Sequence, residues 1–269
     1  MDPRPIGVFD SGLGGLTTVK KLAELLPGED IIYLGDTGRA PYGSRSRETI
    51  IKYARQDAAF LAGFDIKAMV IACNTACSAA YGILDDAYDM PVYEVINTPV
   101  GTAVSLTKNG RIGVIGTSAT IRSGAYEAAL KKADPELFIL SAACPLFVPL
   151  VENGRIGDDD PAALIIAEDY LSPLREAGVD TLILGCTHYP LLRGVISGVV
   201  GSGAALVDSG AETAKLVAGD LLARNMLSRS STGATIKYYV TDSVDGFSDL
   251  ASRFLGTDAH GAVEQTALE

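Results

Sequence analysis

Ala68-Met69-Val70-Ile71-Ala72-Cys73-Asn74-Thr75 runs from five apolar residues into a thiol, an amide and a hydroxyl. An apolar run this short, without polar alternation, reads as a strand buried on both faces, the habit of parallel sheets. The polar residues after it place a turn and then a helix at the strand's carboxyl end. The same pattern returns 113 residues on, where Thr181–Gly185 leads into Cys186-Thr187-His188. Ile6-Gly7-Val8 is answered by Ile112-Gly113-Val114, and Ile31–Leu34 by Leu137–Leu140, each at an offset of 106. Three matches in order at nearly one spacing predict two similar lobes. Val92–Val95 and Leu206–Val207 add a further run to each.

Stretches of helical spacing separate the runs. Thr49, Tyr53, Phe60 and Leu61 make one leaning-apolar face among Lys52, Arg55, Gln56 and Asp57. Asp160-Pro161 starts another helix, since Asp accepts from first-turn N–H groups and Pro suits the first helical position. The predicted fold is α/β: two similar α/β lobes with mostly parallel sheets, joined by right-handed crossovers and facing across a central cleft. Residues 209–269 hold a helix (Ala211–Asn225), a strand (Thr235–Thr241), another helix and a short apolar end. The repeat does not assign them to either lobe.

Composition narrows the function. The chain has 269 residues, 48% of them hydrophobic and 20% charged, which is a globular balance and not that of a disordered chain. Its net charge of −11 argues against nucleic acid and against an anionic membrane surface as partners. No run of 18 apolar residues occurs, and no basic segment followed by an apolar one opens the chain, so neither a membrane span nor export is expected. The four cysteines are expected as free thiols in a reducing, cytoplasmic setting.

Cys73 and Cys186 are the candidates for chemistry. Open α/β sheets bind ligands at strand carboxyl ends, and a helix N-terminus there favours thiolate. Cys77, one helical turn after Cys73, and Cys144, in an apolar segment, read as packing residues. The Cys73–Cys77 spacing lacks a second pair to complete a metal site, so no metal is expected. His188, two residues beyond Cys186, would share its side of a continued strand and tune it. The turn Asp10-Ser11-Gly12-Leu13-Gly14-Gly15 fails the dinucleotide pattern but exposes backbone N–H groups beside a carboxylate. The loop Asp36–Ser44 is long, polar and suited to closing over an anion. Because the chain is acidic, an anionic ligand has to be held locally, and N–H groups around Gly12, Gly43 and Thr75 are the expected holders.

Four blocks together resemble the glutamate racemases, a group within the cofactor-independent aspartate/glutamate racemase family. They are Phe9–Leu16, Asp36–Gly43, Ala72–Ala76 and Leu184–Leu191. The resemblance runs from Ile6 to about Leu255. It implies that Cys73 and Cys186 are acid/base residues on opposite faces of Cα, Cys73 taking the proton from D-glutamate and Cys186 from L-glutamate. It implies that Asp10, Ser11, Tyr42, Gly43, Asn74, Thr75, Thr187 and His188 bind the substrate. Asp10, Glu152 and His188 would assist the thiols and the ammonium, while Thr117 and Thr120 would add hydroxyls near the carboxylate. It further implies a first lobe of residues 1–97 with 209–269, a second of 98–208, a homodimer, no pyridoxal phosphate, and D-glutamate made for bacterial peptidoglycan. The first strand begins at Ile6, so the N-terminal extension by which a cell-wall precursor regulates some resembling enzymes is not expected.

The residues suit that chemistry. Inverting Cα needs a base on one face and an acid on the other, and no Lys stands at a strand end to carry a cofactor. Two alternatives stay open on the residues alone. One is aspartate racemase or a related two-cysteine isomerase; the other is a non-catalytic amino-acid binding protein.

Overall fold

The computed structural model of the protein describes residues 1–228, 234–245, 247–256 and 263–268. Strands β1 (Ile6–Asp10), β2 (Ile31–Gly35), β3 (Ala68–Ile71) and β4 (Val92–Glu94) come first. Helices α1 (Leu16–Leu25), α2 (Arg47–Ala62) and α3 (Asn74–Asp85) alternate with them. After α4 (Thr98–Leu106) the pattern repeats with β5 (Arg111–Gly116), α5 (Ser118–Arg122) and α6 (Ala125–Ala133). Next come β6 (Phe138–Ala143), α7 (Phe147–Glu152), α8 (Pro161–Glu176), β7 (Thr181–Gly185), α9 (Arg193–Val200) and β8 (Ala205–Asp208). The chain finishes with α10 (Ser209–Ala223), β9 (Ile236–Val240), α11 (Phe247–Leu255) and β10 (Val263–Gln265).

Two sheets result, ordered β10-β9-β2-β1-β3-β4 and β6-β5-β7-β8, with every pairing parallel. The segments β2-β1-β3-β4 and β6-β5-β7-β8 have one topology, so the repeat seen in composition is a repeat of connectivity. In each, the chain leaves the first strand to one side and comes back to the other for its third. That reversal opens a crevice at the strands' carboxyl ends, between β1 and β3 in one sheet and between β5 and β7 in the other.

Each of the eight apolar runs coincides with a strand. β6 departs most, starting at Phe138 and continuing through Ser141, Ala142 and Ala143. It is an edge strand with partly exposed side chains, so its apolar signal is weak. β10, expected only as a short apolar end, forms because β9 offers it an edge. Asp160 caps α8 as expected, accepting from the Ala162 and Ala163 N–H groups at 3.0 Å.

Helices α4 and α10 join the sheets. α10 starts directly after β8 yet packs on α1, and α4 packs on α10, α6, β7 and β8. Thr102 donates to Glu212 (2.6 Å) and Tyr93 to Asp220 (2.6 Å) across this seam. β9 lies along β2 in register Ile31↔Ile236, so the C-terminal segment extends the first sheet.

Candidate active site

Loops from both sheets enclose one cavity of about 650 Å³. The loop after β3 and the loop after β7 bring Cys73 and Cys186 to its wall, 5% and 6% exposed. The topology therefore presents equivalent residues of the two halves to one space.

Cys73 is the N-cap of α3. Its Sγ accepts from the Ala76 N–H at 3.4 Å and donates to Ser11 Oγ at 3.5 Å. The helix N-terminus foreseen for it is there, but the lowered thiol value is not. Burial, reinforced by the nearby Asp10 carboxyl, pushes the Cys73 thiol up to about 12, against the pull of the Ser11 and Ala76 contacts. Desolvation outweighs the dipole because the sulfur is almost wholly enclosed.

Cys186 differs from the expectation more. β7 ends at Gly185, and the chain turns into a short 3₁₀ segment, Tyr189–Leu192, before α9 begins at Arg193. No α-helix starts at Cys186. His188 is beside it all the same, Nδ1 to Sγ 3.8 Å, because the turn brings the two together and not because a strand continues. His188 Nε2 meets Glu152 Oε1 at 3.1 Å. Burial disfavours the imidazolium, but these contacts with Cys186 and Glu152 outweigh it and raise His188 to about 10. The Phe254 ring packs edge-on to the imidazole at 5.2 Å, and Arg253 donates to the Glu152 carbonyl at 2.6 Å. The C-terminal α11 thus braces the dyad, a role no motif announced.

Asp10 stands behind the wall, 1% exposed. It accepts from the Gly12 N–H at 3.0 Å and from Thr187 Oγ1 at 3.4 Å. Burial pushes its carboxyl upward. The Gly12 N–H is therefore engaged by Asp10. Ser11, Gly43, Thr75, Thr117, Thr187 and His188 do reach the cavity. Thr75, Thr117 and Thr120 form a triangle of hydroxyls at 2.9, 3.0 and 3.3 Å, linking α3 to the turn after β5, with Thr120 buried behind it. Asn74 lines the space while its amide is tied to Tyr126 (2.5 Å) and Ser209 (3.4 Å). Tyr42 lines it too, but its hydroxyl points away, to Asp36 and to Asp57 Oδ2 at 2.8 Å.

Two glycines let the halves meet. A Cβ on Gly14 would lie 2.2 Å from Thr187 Oγ1, and one on Gly43 would lie 2.9 Å from Thr117 Cβ. Sequence reasoning missed Arg122, the one arginine on the wall among the described residues, together with Ser118 and the apolar Val148 and Pro149. Arg122 follows the fifth apolar run much as the Asp10–Gly15 turn follows the first, which is the signal that could have found it. It supplies part of the local positive charge that an acidic chain needs for an anionic ligand. Cys77 and Cys144 are buried off this wall, Cys77 donating to the Ile71 carbonyl at 3.2 Å. Among the described residues no three His, Cys, Asp or Glu side chains group as metal ligands, and no helix is long and apolar enough to cross a membrane.

Two parallel sheets of one topology, each sending a cysteine from its third strand into a shared cavity, define a two-thiol α/β fold. The chain belongs to the Asp/Glu/hydantoin racemase family, whose model matches residues 6–217. It is 48% identical to a glutamate racemase of Geobacter metallireducens over 99% of this chain and 97% of that one. Among solved structures it resembles a glutamate racemase isoform from Bacillus anthracis, with a TM-score of 0.94 and 38% identity, covering 100% of this chain and 99% of the other. A glutamate racemase from Francisella tularensis in complex with D-glutamate gives a TM-score of 0.93 at 38% identity, again covering 100% and 99%.

Proposed function

We propose that this chain interconverts L- and D-glutamate by two-base proton transfer at Cα, without pyridoxal phosphate or metal. The observation that carries this is the placement of Cys73 and Cys186 at equivalent loops on the wall of one cavity, in a chain whose near relatives are named glutamate racemases. One thiolate removes the Cα proton, and the electron pair left behind is delocalised into the α-carboxylate. The other thiol delivers a proton to the opposite face, and the two sulfurs end with their protonation states exchanged. Cys73 acts on D-glutamate and Cys186 on L-glutamate.

The developing charge needs donors already in place, since reorganising water is excluded. Thr75, Thr117, Thr187 and the α3 N-terminus are of that kind. Arg122 adds a positive charge for a carboxylate. His188, kept protonated by its surroundings, can hold or hand over a proton at the Cys186 sulfur, with Glu152 orienting the ring. Asp10 and Ser11 do the corresponding work near Cys73. Tyr42 and Gly43 shape the wall, Asn74 contributes from the start of α3, and Thr120 backs the hydroxyl triangle.

Proton–deuteron exchange at Cα in heavy water tests substrate, reaction and cofactor independence together. Both glutamate enantiomers should exchange without added cofactor. Faster turnover of aspartate than of glutamate would replace the substrate, and binding without exchange would replace the reaction. The same reading includes a cytoplasmic location, D-glutamate supply for peptidoglycan, and a homodimer, which sedimentation measures. It also includes a first lobe of residues 1–97 with 209–269 and a second of 98–208, supported by strand membership in the two sheets and tested by limited proteolysis.

A further inference from the structure

Behind the cavity wall, α2 and the loop after β2 enclose two carboxyls, Asp36 and Asp57, both 0% exposed. Asp36 Oδ1 accepts from Thr241 Oγ1 at 2.7 Å, and its Oδ2 accepts from Arg39 Nε at 2.6 Å and from the Tyr42 hydroxyl. Asp57 Oδ1 accepts from Arg39 Nη2 at 2.9 Å, and its Oδ2 lies 2.8 Å from the Tyr42 oxygen. A phenol has one proton, so it cannot donate to both carboxyls. A second proton has to be on one of them. Asp36 already receives three donors and is the better site for the negative charge. Asp57 receives one, so it carries the proton.

We propose that Asp57 is a positioning residue for the racemisation: as a neutral acid it donates to Tyr42 Oη, Tyr42 donates to Asp36, and the chain of two hydrogen bonds holds the loop from Thr37 to Ser44 against the cavity. The inference rests on the proposed racemase reading for its kinetic consequence and on geometry alone for its structural one. Ala40, Pro41, Tyr42, Gly43 and Ser44 all lie on the wall, so whatever fixes Tyr42 fixes that side of the site. With Asp57 neutral, the Asp36 carboxylate and the Arg39 guanidinium balance. With both carboxyls ionised, a net negative charge would be buried at high cost.

The groups that face Asp57 favour its neutral form on balance. Asp36 and Asp10 raise its value, burial raises it most, and Arg39 and Tyr42 oppose them. Tyr53, on the same helix, engages Arg39 through its ring at 4.2 Å. The thiols Cys73 and Cys77 share the core cluster with α2, and burial raises both.

Asp57→Asn reproduces the neutral acid, since its amide N–H donates to Tyr42 and its carbonyl accepts from Arg39. Asp57→Ala leaves both partners unmet. Hydrogen-exchange protection of the backbone amides of 37–44 other than Pro41 should fall in the wild type as rising pH ionises the buried acid, above the ordinary carboxylate range. In Asp57→Asn it should stay high throughout. KM for glutamate should match the wild type within about twofold in Asp57→Asn and rise about tenfold in Asp57→Ala with kcat nearly kept. Equal protection at all pH in the wild type, or an Asp57→Asn variant with an unprotected loop or a raised KM, overturns the proposal. If Asp57→Ala does not fold, wild type and Asp57→Asn still decide. If glutamate proves not to be the substrate, the racemase reading fails while the exchange measurement still judges the loop.

Discussion

The loop after β3 holds Cys73 at a helix N-cap with a hydroxyl and a backbone N–H on its sulfur, whereas the loop after β7 holds Cys186 in a turn against a histidine–glutamate pair. The two positions are topologically equivalent and chemically unlike. An inversion catalyst needs an acid and a base on opposite faces of Cα, and in a protein of L-amino acids those two faces cannot be mirror images. The fold duplicates the position of the thiol, and each side then gives it different neighbours. Cys73 is kept as a thiol by burial, while Cys186 has a protonated imidazole next to it.

The largest test of this pairing removes either sulfur. Cys73→Ala and Cys186→Ala should each lose about 10³-fold or more of racemisation, followed by circular dichroism of both enantiomers. Substantial activity in either variant breaks the two-base scheme. Gly14→Ala should cost about 100-fold, because its Cβ would fall 2.2 Å from Thr187 Oγ1 and 2.5 Å from His188 Nδ1 and force the two loops apart.

Glu152→Gln sharpens the contrast, since it loosens only the Cys186 side. We expect a loss of about tenfold to 100-fold. The enantiomers have equal free energy, so kcat/KM has to fall equally in both directions; the asymmetry shows in kcat measured from each enantiomer. Equal kcat losses would mean that Glu152 serves the whole cavity.

Alkylation reads the other side. Because the Cys73 value is raised to about 12, its thiol form dominates below that pH. Its iodoacetamide labelling, mapped by mass spectrometry, should climb about tenfold per pH unit through the alkaline range. A plateau near neutral pH would show that the helix N-terminus, not burial, controls the sulfur. The smallest effects should come from Cys77→Ala and Cys144→Ala, with rates within about twofold of the parent and a stability cost of about 1 kcal/mol each from lost packing, measured by denaturant unfolding.

Much of this was legible from residue order. A parallel strand buried on both faces has to be short and apolar, so Ala68–Ala72 and Thr181–Gly185 identify themselves, and chemistry at a strand's carboxyl end follows from how such sheets are wound. The repeat of those runs located both cysteines, the Gly-rich turn at Asp10 follows the first of the runs, and the resemblance pointed to Thr117 and Thr120. Distances between loops were not legible, because they depend on how two separately formed sheets dock. That docking brings Phe254 edge-on to the imidazole and Gly14 against Thr187, while packing within the second lobe sets Glu152 on His188. Packing within the first lobe directs the Tyr42 hydroxyl to a pair of buried carboxyls, and the local turn engages the Gly12 N–H with Asp10. Burial is likewise a tertiary property: a helix N-terminus can be read from sequence, but how completely the rest of the chain excludes water from Cys73 cannot, and that exclusion decides its proton.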